Sequence, residues 1–128
     1  VKIAKRLRKL ADEGCDVQVM VREEPEHKSP GTKIRETLGS NLKVLPFKTA
    51  GMEEPGPNSI HSKIVLIEAS IDGSKDKKTL VMTGSHNLNL TSLRLNDEVL
   101  LKIWDPVVFA DYLKYWNRMT VDAASILQ

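Results

Sequence analysis

The hydrophobic residues at the start of the chain follow helical spacing and then change to the alternation of a strand. Residues 3–11 place apolar side chains on one helical face, and Gly14 follows as a candidate C-terminal cap. The residues of that face are Ile3, Leu7, Leu10 and Ala11. Next, "CDVQVMV" at residues 15–21 alternates apolar and polar positions, which predicts a strand with the thiol of Cys15 buried in it. A helix that leads directly into a β-branched strand is typical of an α/β fold.

The next elements are shorter and are separated by polar loops. A helix is predicted over Thr32–Leu38 and ends at Gly39, and "LKVLPF" at residues 42–47 predicts a second strand. The stretch "KTAGMEEPGPNS" at residues 48–59 is rich in Gly, Pro and Glu, which predicts a mobile loop on the surface.

The second half of the chain predicts three more strands and a closing helical region. The predicted strands are Ile60–Ile67, Thr79–Met82 and Glu98–Ile103. Asp105 followed by Pro106 predicts the start of a helix, and Val121–Leu127 predicts a last short helix. The buried face of the first of these helices is predicted from Phe109, Leu113 and Trp116, with Tyr112 beside it. Together these elements predict an α/β domain with a mixed central β-sheet flanked by helices.

Length, charge and cysteine content narrow the class of protein. A chain of 128 residues fits one domain, over residues 1–128, with one core. Its 19 basic and 17 acidic residues leave a formal charge of +2, which is not typical of nucleic-acid binding by bulk charge, although a local basic patch is compatible with it. The single cysteine, Cys15, excludes an internal disulfide and a Cys-rich zinc site. Because the chain begins without Met and inside a helical pattern, we expect it to be a fragment of a longer protein.

Two polar residues interrupt the strand predicted over Ile60–Ile67. Side chains alternate between the faces of a strand, so His61 and Lys63 share one face with apolar residues. A buried ammonium group is costly unless it is paired or bound to an anion. We therefore expect His61 and Lys63 at the open end of the strand, in a pocket that favours negative charge. The alternative is a strand edge that is exposed to solvent.

The turn "TGSHN" after the next strand strengthens this interpretation. Gly84 permits close approach of the backbone, and the side chains of Ser85 and Asn87 are able to hold phosphate oxygens. Farther along the chain, "NDE" begins another strand with Glu98. A carboxylate near His61 would fix the tautomer of the imidazole and stabilise its charged form.

In this order the three segments resemble the phospholipase D superfamily, whose members carry an HxKxxxxD pattern followed by GSxN. "HSK" matches the first part, "GSHN" matches the second, and "NDEVLLKI" looks like the strand that follows, with Glu98 at its acidic position. The similarity also covers the first helix, the strand after Gly14 and the late helix, so it spans nearly the whole chain. The chain departs from the pattern at Glu68, where the family has Asp in a mainly structural role, and in its longer interval between Lys63 and Gly84.

The resemblance implies a phosphodiesterase, a hydrolase that works without metal or cofactor. An imidazole nitrogen of His61 would attack phosphorus and form a phosphohistidine, while Lys63 and Asn87 would stabilise the charge on the equatorial oxygens. Lys63, Ser85 and Asn87 would bind the phosphate, and Glu98 would complete the catalytic set. A second histidine would protonate the leaving alcohol and then activate water.

The second histidine is the part that the chain lacks. His27 lies in a polar loop and His86 lies inside the GSxN turn, and neither has an HxK context. Members of the family assemble one active site from two HxK motifs, and this chain holds one. The resemblance therefore implies the C-terminal half of a two-motif protein, or a half that pairs with a homodimer partner, and predicts that the isolated fragment is poorly active.

Three functions fit the residues. The first is cleavage or transfer at phospholipid head groups, which the modest charge favours because nuclease grooves gain affinity from many phosphate contacts. The second is a metal-independent nuclease of the same superfamily, and the third is a non-catalytic half-domain. The intact set of His61, Lys63, Ser85, Asn87 and Glu98 favours catalysis over the third. The resemblance favours an extracytoplasmic or secreted protein, and the sequence leaves the compartment open.

Overall fold

The computed structural model describes residues 2–23, 30–39, 43–48, 61–95 and 97–125. The chain divides into two compact units, of which unit 1 comprises Val1–Ile60 and Thr120–Gln128 and unit 2 comprises His61–Met119. His27 and the predicted loop after residue 48 lie outside the described residues.

Among the described residues, unit 1 contains a pair of parallel strands, two complete helices and the end of the helix that finishes at Ser125. Its elements are helix α1 (Lys2–Asp12), strand β1 (Gln18–Glu23), helix α2 (Pro30–Leu38) and strand β2 (Lys43–Lys48). Strands β1 and β2 pair in parallel from Gln18 opposite Lys43 to Glu23 opposite Lys48. Ala4 of α1 and Leu38 of α2 form the buried core of this unit. Partly buried apolar residues that pack against it are Leu7, Ala11, Val17, Val19 and Ile34.

The end of α1 shows why the prediction of a buried thiol at Cys15 is wrong. Gly14 has a φ of +96°, its N–H donates to the carbonyl of Ala11, and the N–H of Cys15 donates to the carbonyl of Leu10. This is a Schellman motif, which confirms Gly14 as the cap. Because the motif includes Cys15 and β1 begins only at Gln18, the thiol stands outside the alternation of the strand and is exposed.

A side chain of α1 binds the C-terminal end of α2. The predicted helix is confirmed, with an earlier start at Pro30, and the N–H of Gly39 donates to the carbonyl of Arg35. The guanidinium of Arg8 donates to the carbonyl of Leu38 over 2.9 Å and also pairs with Asp12 over 3.0 Å. A cation at the last carbonyls of a helix satisfies groups that have no partner inside the helix.

Unit 2 is built on an antiparallel sheet of three strands. Strands β3 (Ile64–Ser70), β4 (Lys77–Gly84) and β5 (Leu100–Ile103) pair in that order, with β4 in the centre. Leu80 and Val81 are adjacent on β4, so they point to opposite faces, and both are buried. Both faces of the central strand are therefore covered at this point. Helix α3 (Leu90–Arg94) lies between β4 and β5 in the chain, and helix α4 (Pro106–Ser125) follows β5 and continues past Met119, the last residue of unit 2.

Helix α4 begins as its sequence predicts. A carboxylate oxygen of Asp105 accepts hydrogen bonds from the N–H groups of Val107 and Val108, at 2.7 and 3.1 Å, which confirms the predicted N-cap. The prediction of a separate helix over Val121–Leu127 is wrong, since α4 continues to Ser125. Residues 107–125 contain no Pro or Gly that would end the helix earlier. None of the helices within the described ranges is long and apolar enough to span a membrane.

The buried face of α4 differs from its prediction at one position. Phe109 is 8% exposed, as predicted, whereas Leu113 is 40% exposed. The partly buried residues of the helix include Tyr112, Tyr115 and Trp116. The aromatic residues therefore form the protected face, and Leu113 lies at its border.

The structure confirms the α/β class and corrects several boundaries. Parallel and antiparallel pairing both occur, and the described strands form two sheets, one in each unit. Strand β3 begins at Ile64, so His61 and Lys63 precede the strand in which they were predicted, and Glu98 likewise precedes β5. The sequence analysis did not predict α3, which has only five residues and is capped by Asn89.

Candidate functional site

The antiparallel sheet of unit 2 brings three polar segments to the same edge. The ladder between β3 and β4 starts with Ile64 opposite Thr83, and the ladder between β4 and β5 pairs Gly84 with Leu100. Neighbouring antiparallel strands run in opposite directions, so the start of β3, the end of β4 and the start of β5 meet. Residues 61–63, 84–87 and 97–99 are the segments that adjoin these ends.

An open depression lies at this edge. Its volume is about 540 Å³, and it is lined by residues 61–64, residues 83–85, Tyr112 and Tyr115. Among the lining residues that the structure describes, Lys63 is the one lysine or arginine, and none is a carboxylate. The depression therefore favours an anion.

Within the depression, Lys63 contacts His61. The Nζ atom of Lys63 lies 3.0 Å from Nδ1 of His61 and 2.6 Å from the carbonyl oxygen of His61. An ammonium group only donates hydrogen bonds, so Nδ1 of the imidazole accepts here and the proton of the neutral ring resides on Nε2. The imidazole and the ammonium group are thus neighbours, as predicted, although neither residue lies in the strand.

Gly84 and Ser85 join the end of β4 to the segment before β5. A Cβ atom on Gly84 would collide with the carbonyl oxygen of Val99, so this position requires glycine. The N–H of Ser85 donates to the carbonyl of Val99, and the hydroxyl of Ser85 accepts from the N–H of Val99, each over 3.1 Å. The same hydroxyl donates to a carboxylate oxygen of Glu98 over 2.5 Å. The Ser85 hydroxyl therefore has its proton engaged within the protein.

Glu98 reaches the site through Ser85. Its contact with Ser85 is a charge-assisted hydrogen bond, which is stronger than a bond between neutral groups. Glu98 is partly buried and lies outside the set of residues that line the depression. The predicted contact between Glu98 and the imidazole of His61 stays a prediction.

The other polar residues of the GSHN turn differ in exposure. Asn87 is exposed and lies outside the lining of the depression, so its contact with phosphate stays a prediction. His86 is 5% exposed, and its Nδ1 atom has no hydrogen-bond partner among the described residues. Asn89, two residues farther on, accepts from the N–H of Ser92 over 2.8 Å and caps α3. The turn thus passes directly into a helix.

Glu68, at the Asp position of the HxKxxxxD pattern, is away from the depression. It is exposed on β3 and pairs with Lys77 of β4 over 3.2 Å. Exposed ion pairs of this kind contribute roughly 0–1 kcal/mol to stability. The pair connects the two strands near the turn between them, which fits the structural role expected for Glu68.

One wall of the depression consists of residues that were not among the predicted site residues. Tyr112 and Tyr115 of α4 both line it, and the hydroxyl of Tyr115 lies 3.1 Å from the Oγ atom of Ser62. The two tyrosines are three residues apart and therefore lie on neighbouring positions of one helical face. That spacing was visible in the sequence, but nothing in it indicated which end of the sheet the face would cover.

The chemistry available at this edge is that of an imidazole, an ammonium group and hydroxyls. Within the described ranges, no group of three or more His, Cys, Asp or Glu residues is arranged to hold a metal ion. The imidazole is able to act as nucleophile or base, and the ammonium group is able to bind an anion beside it. This combination suits a reaction at a phosphate group.

Comparison with known proteins supports the same conclusion. Residues 1–120 match the family model described as "Cardiolipin synthase, PLD-like domain". The match confirms the resemblance to the phospholipase D superfamily, whose members act on phosphodiesters and often pair two halves. No curated protein and no solved structure matches the chain.

Proposed function

Since the chain belongs to the phospholipase D-like domain family, we propose that it supplies one catalytic half of a phosphodiesterase that forms a phosphohistidine at His61. The observation that carries this proposal is the placement of the Lys63 ammonium 3.0 Å from the His61 imidazole, in a depression whose described lining residues include no carboxylate. An anion drawn to Lys63 would lie beside a nitrogen nucleophile. Holding the two reacting groups together in this way is a large part of catalysis at phosphate.

The proposed reaction proceeds in two displacements. A nitrogen of His61 forms a bond to phosphorus as the bond from phosphorus to the leaving oxygen breaks, and the leaving alkoxide takes a proton from a second histidine. Water or an acceptor alcohol then gives its proton to that second histidine and attacks phosphorus, and the phosphorus–nitrogen bond breaks. Lys63 and Asn87 would stabilise the negative charge on the non-bridging oxygens during both steps.

Ser85 and Glu98 would act together at the rim. Ser85 is proposed as a phosphate ligand, but its proton is engaged by Glu98 over 2.5 Å. Donation to a phosphate oxygen would require the hydroxyl to leave the carboxylate, since a hydroxyl has one proton. Glu98 therefore supports catalysis first by fixing the position of Ser85 and of the backbone around Val99.

Phospholipid head groups are the proposed substrate. The formal charge of +2 is small for a protein that would grip a nucleic-acid backbone through many phosphate contacts. The matched family model is named for cardiolipin synthase, and cardiolipin is a phospholipid. Transfer of a phosphatidyl group to an alcohol and hydrolysis by water differ only in the acceptor of the second displacement.

The test is turnover by the full-length protein on phospholipid vesicles and, in parallel, on single-stranded and double-stranded DNA. We expect His61→Ala and Lys63→Met to abolish turnover on vesicles without changing thermal stability. Lys78→Met is the matched control, because Lys78 is exposed at the far end of β4 and pairs with Ala69 near the turn. The route uses no metal, so turnover should also survive EDTA.

Three results would contradict the proposal. If His61→Ala kept a tenth of wild-type turnover on every diester, the nucleophile would be another group. Loss of turnover in EDTA with recovery in zinc or magnesium would exclude the phosphohistidine route. Turnover of DNA but not of vesicles would assign the site to a nuclease.

A further inference from the structure

The segment that carries His61 and Lys63 precedes the sheet. In the part of the chain that the structure describes, the ladder between β3 and β4 begins at Ile64, and residues 61–63 pair with no strand. The two groups that are proposed to contact one phosphate therefore stand just outside this ladder. Misplacement of a reacting group by about 1 Å can lower the rate about a hundredfold. The segment thus needs another attachment.

Ser62, which lies between the two site residues, provides that attachment. Its Oγ atom lies 3.1 Å from the hydroxyl oxygen of Tyr115, within hydrogen-bonding distance. Tyr115 is partly buried, and both residues line the depression. The contact joins positions 53 residues apart in the chain.

Tyr115 stands on a long helix that is capped at its start. Helix α4 has 20 residues and begins at the Asp105 cap. Phe109, less than two turns before Tyr115, is 8% exposed and anchors the helix in the core of unit 2. A phenol ring also has few rotatable bonds, so its hydroxyl holds a defined position at low entropic cost.

From these contacts we infer that Tyr115 is a positioning residue, which acts through Ser62 to hold His61 and Lys63 where both contact the same phosphate group. This inference rests on the proposed function, because it assumes that the two residues act on the same substrate. A movement of Ser62 displaces both neighbours together. The hydrogen bond between Ser62 and Tyr115 therefore acts mainly on the chemical step, and less on substrate binding.

The experiment is a double-mutant cycle on kcat in the full-length protein, with phospholipid vesicles as substrate. Tyr115→Phe removes the hydroxyl and keeps the ring, and Ser62→Ala removes the other partner. Loss of one neutral hydrogen bond should lower kcat roughly three- to tenfold in each variant, with a smaller change in KM. The double variant should lose no more than either single variant, because the two changes break the same bond.

Tyr112→Phe is the matched comparison. Tyr112 lines the same depression from the same helix, and the structure describes no bond between it and Ser62. In the double variant, the fold-change in kcat from Tyr112→Phe should multiply with the fold-change from Ser62→Ala. Ser62→Thr, which keeps a hydroxyl, should recover most of the activity that Ser62→Ala loses. Thermal denaturation of each variant checks that the fold is intact.

A second readout does not depend on turnover. The side-chain resonances of His61 should broaden or shift in Tyr115→Phe and Ser62→Ala but stay near their wild-type positions in Tyr112→Phe. If the fold-losses in kcat from Tyr115→Phe and Ser62→Ala multiplied in the double variant and the His61 resonances stayed unchanged, the positioning role would be overturned. The proposed function would still stand. If His61→Ala kept its turnover, the proposed function would fall, and the positioning role in catalysis with it.

Discussion

The contact between Lys63 and His61 determines which ring nitrogen of the neutral His61 imidazole carries the proton before substrate binds. Because the ammonium group donates to Nδ1, the neutral imidazole carries its proton on Nε2. Attack on phosphorus through Nε2 then requires that this proton move to Nδ1 or leave the ring. A phosphate that draws the hydrogen bonds of Lys63 toward its own oxygens would release Nδ1. Binding of the substrate would thus prepare the nucleophile.

This arrangement predicts a tautomer that nitrogen NMR is able to measure. At a pH where histidine side chains are neutral, the ¹⁵N resonances of His61 in the wild-type chain should show the Nε2-protonated form. Lys63→Met should weaken that preference, since Nδ1 loses its donor, whereas Lys78→Met should leave it unchanged. A wild-type spectrum dominated by the Nδ1-protonated form would contradict the donation from Lys63.

Gly84 shows a requirement of the site that is set by backbone contact. A methyl group at this position would meet the carbonyl oxygen of Val99, and relief would need a shift of β5 away from β4. We expect Gly84→Ala to lower the free energy of unfolding by roughly 1–3 kcal/mol, the usual cost of overpacking. Urea denaturation measures this directly.

A control glycine lies in the turn between β3 and β4. Gly73 has a φ of +73°, and a Cβ atom there would meet no atom within 4 Å. Asparagine tolerates this backbone conformation better than most residues, so Gly73→Asn should cost about 1 kcal/mol, the lower limit for a non-glycine residue at positive φ. Equal stabilities of Gly84→Ala and Gly73→Asn would show that β5 moves aside at little cost.

At the scale of elements, the cap of α4 is the contact on which the aromatic wall of the depression depends. Asp105→Ala removes the acceptor for two backbone N–H groups and should cost about 1 kcal/mol of stability. Asp111→Ala is the control, because the ion pair described for that exposed carboxylate is with the exposed Lys114, and its loss should cost less than about 0.5 kcal/mol. Equal losses in urea denaturation would contradict a special role for Asp105.

The sequence predicts elements well where a local pattern determines them. The cap at Gly14, the end of α2 at Gly39 and the start of α4 at Asp105 all follow from chemistry within a few residues, and the structure confirms them. The start of β3 was misplaced because Ile60 was taken as the first apolar residue of the strand, although three polar residues separate it from Ile64. Only the partner strand decides that pairing begins at Ile64.

The site itself was predictable as a set of residues and less so as a geometry. The order of HSK, GSHN and NDE identified three segments that the antiparallel sheet then brings to one edge. The hydrogen bond between Ser62 and Tyr115 joins distant positions, and no local pattern reports such a contact. Engagement of the Ser85 proton by Glu98 likewise depends on the approach of β5 to β4.

At the scale of the whole molecule, the question is what supplies the second imidazole. The chain holds one HxK motif, whereas its family often pairs two halves. We propose that residues 1–128 form one PLD-like half, paired with a second half that is either another copy of the chain or another part of the same protein. A missing acid–base group typically lowers the rate by about a hundred- to ten-thousandfold, so an unpaired half should turn over poorly.

The two arrangements differ in how turnover depends on concentration. If two copies complete the site, turnover by the 128-residue chain should rise with the square of its concentration in the dilute range, where dimers are few. If the second half belongs to the same protein, the rate of turnover by the full-length protein should be proportional to its concentration. Sedimentation across the same dilution series identifies the species that is present at each concentration.

An inactive variant separates the two arrangements more sharply. In a site shared by two copies, each reaction uses one His61 as nucleophile and the other as acid. Adding excess His61→Ala chain to a fixed amount of wild-type chain should therefore lower turnover, because mixed dimers lack one imidazole. In an intramolecular site the same addition should change nothing. High turnover that is linear in concentration, from a chain shown to be monomeric, would contradict the half-site altogether. The second imidazole would then have to come from His27 or His86, and the burial of His86 requires that the turn around it open during the reaction.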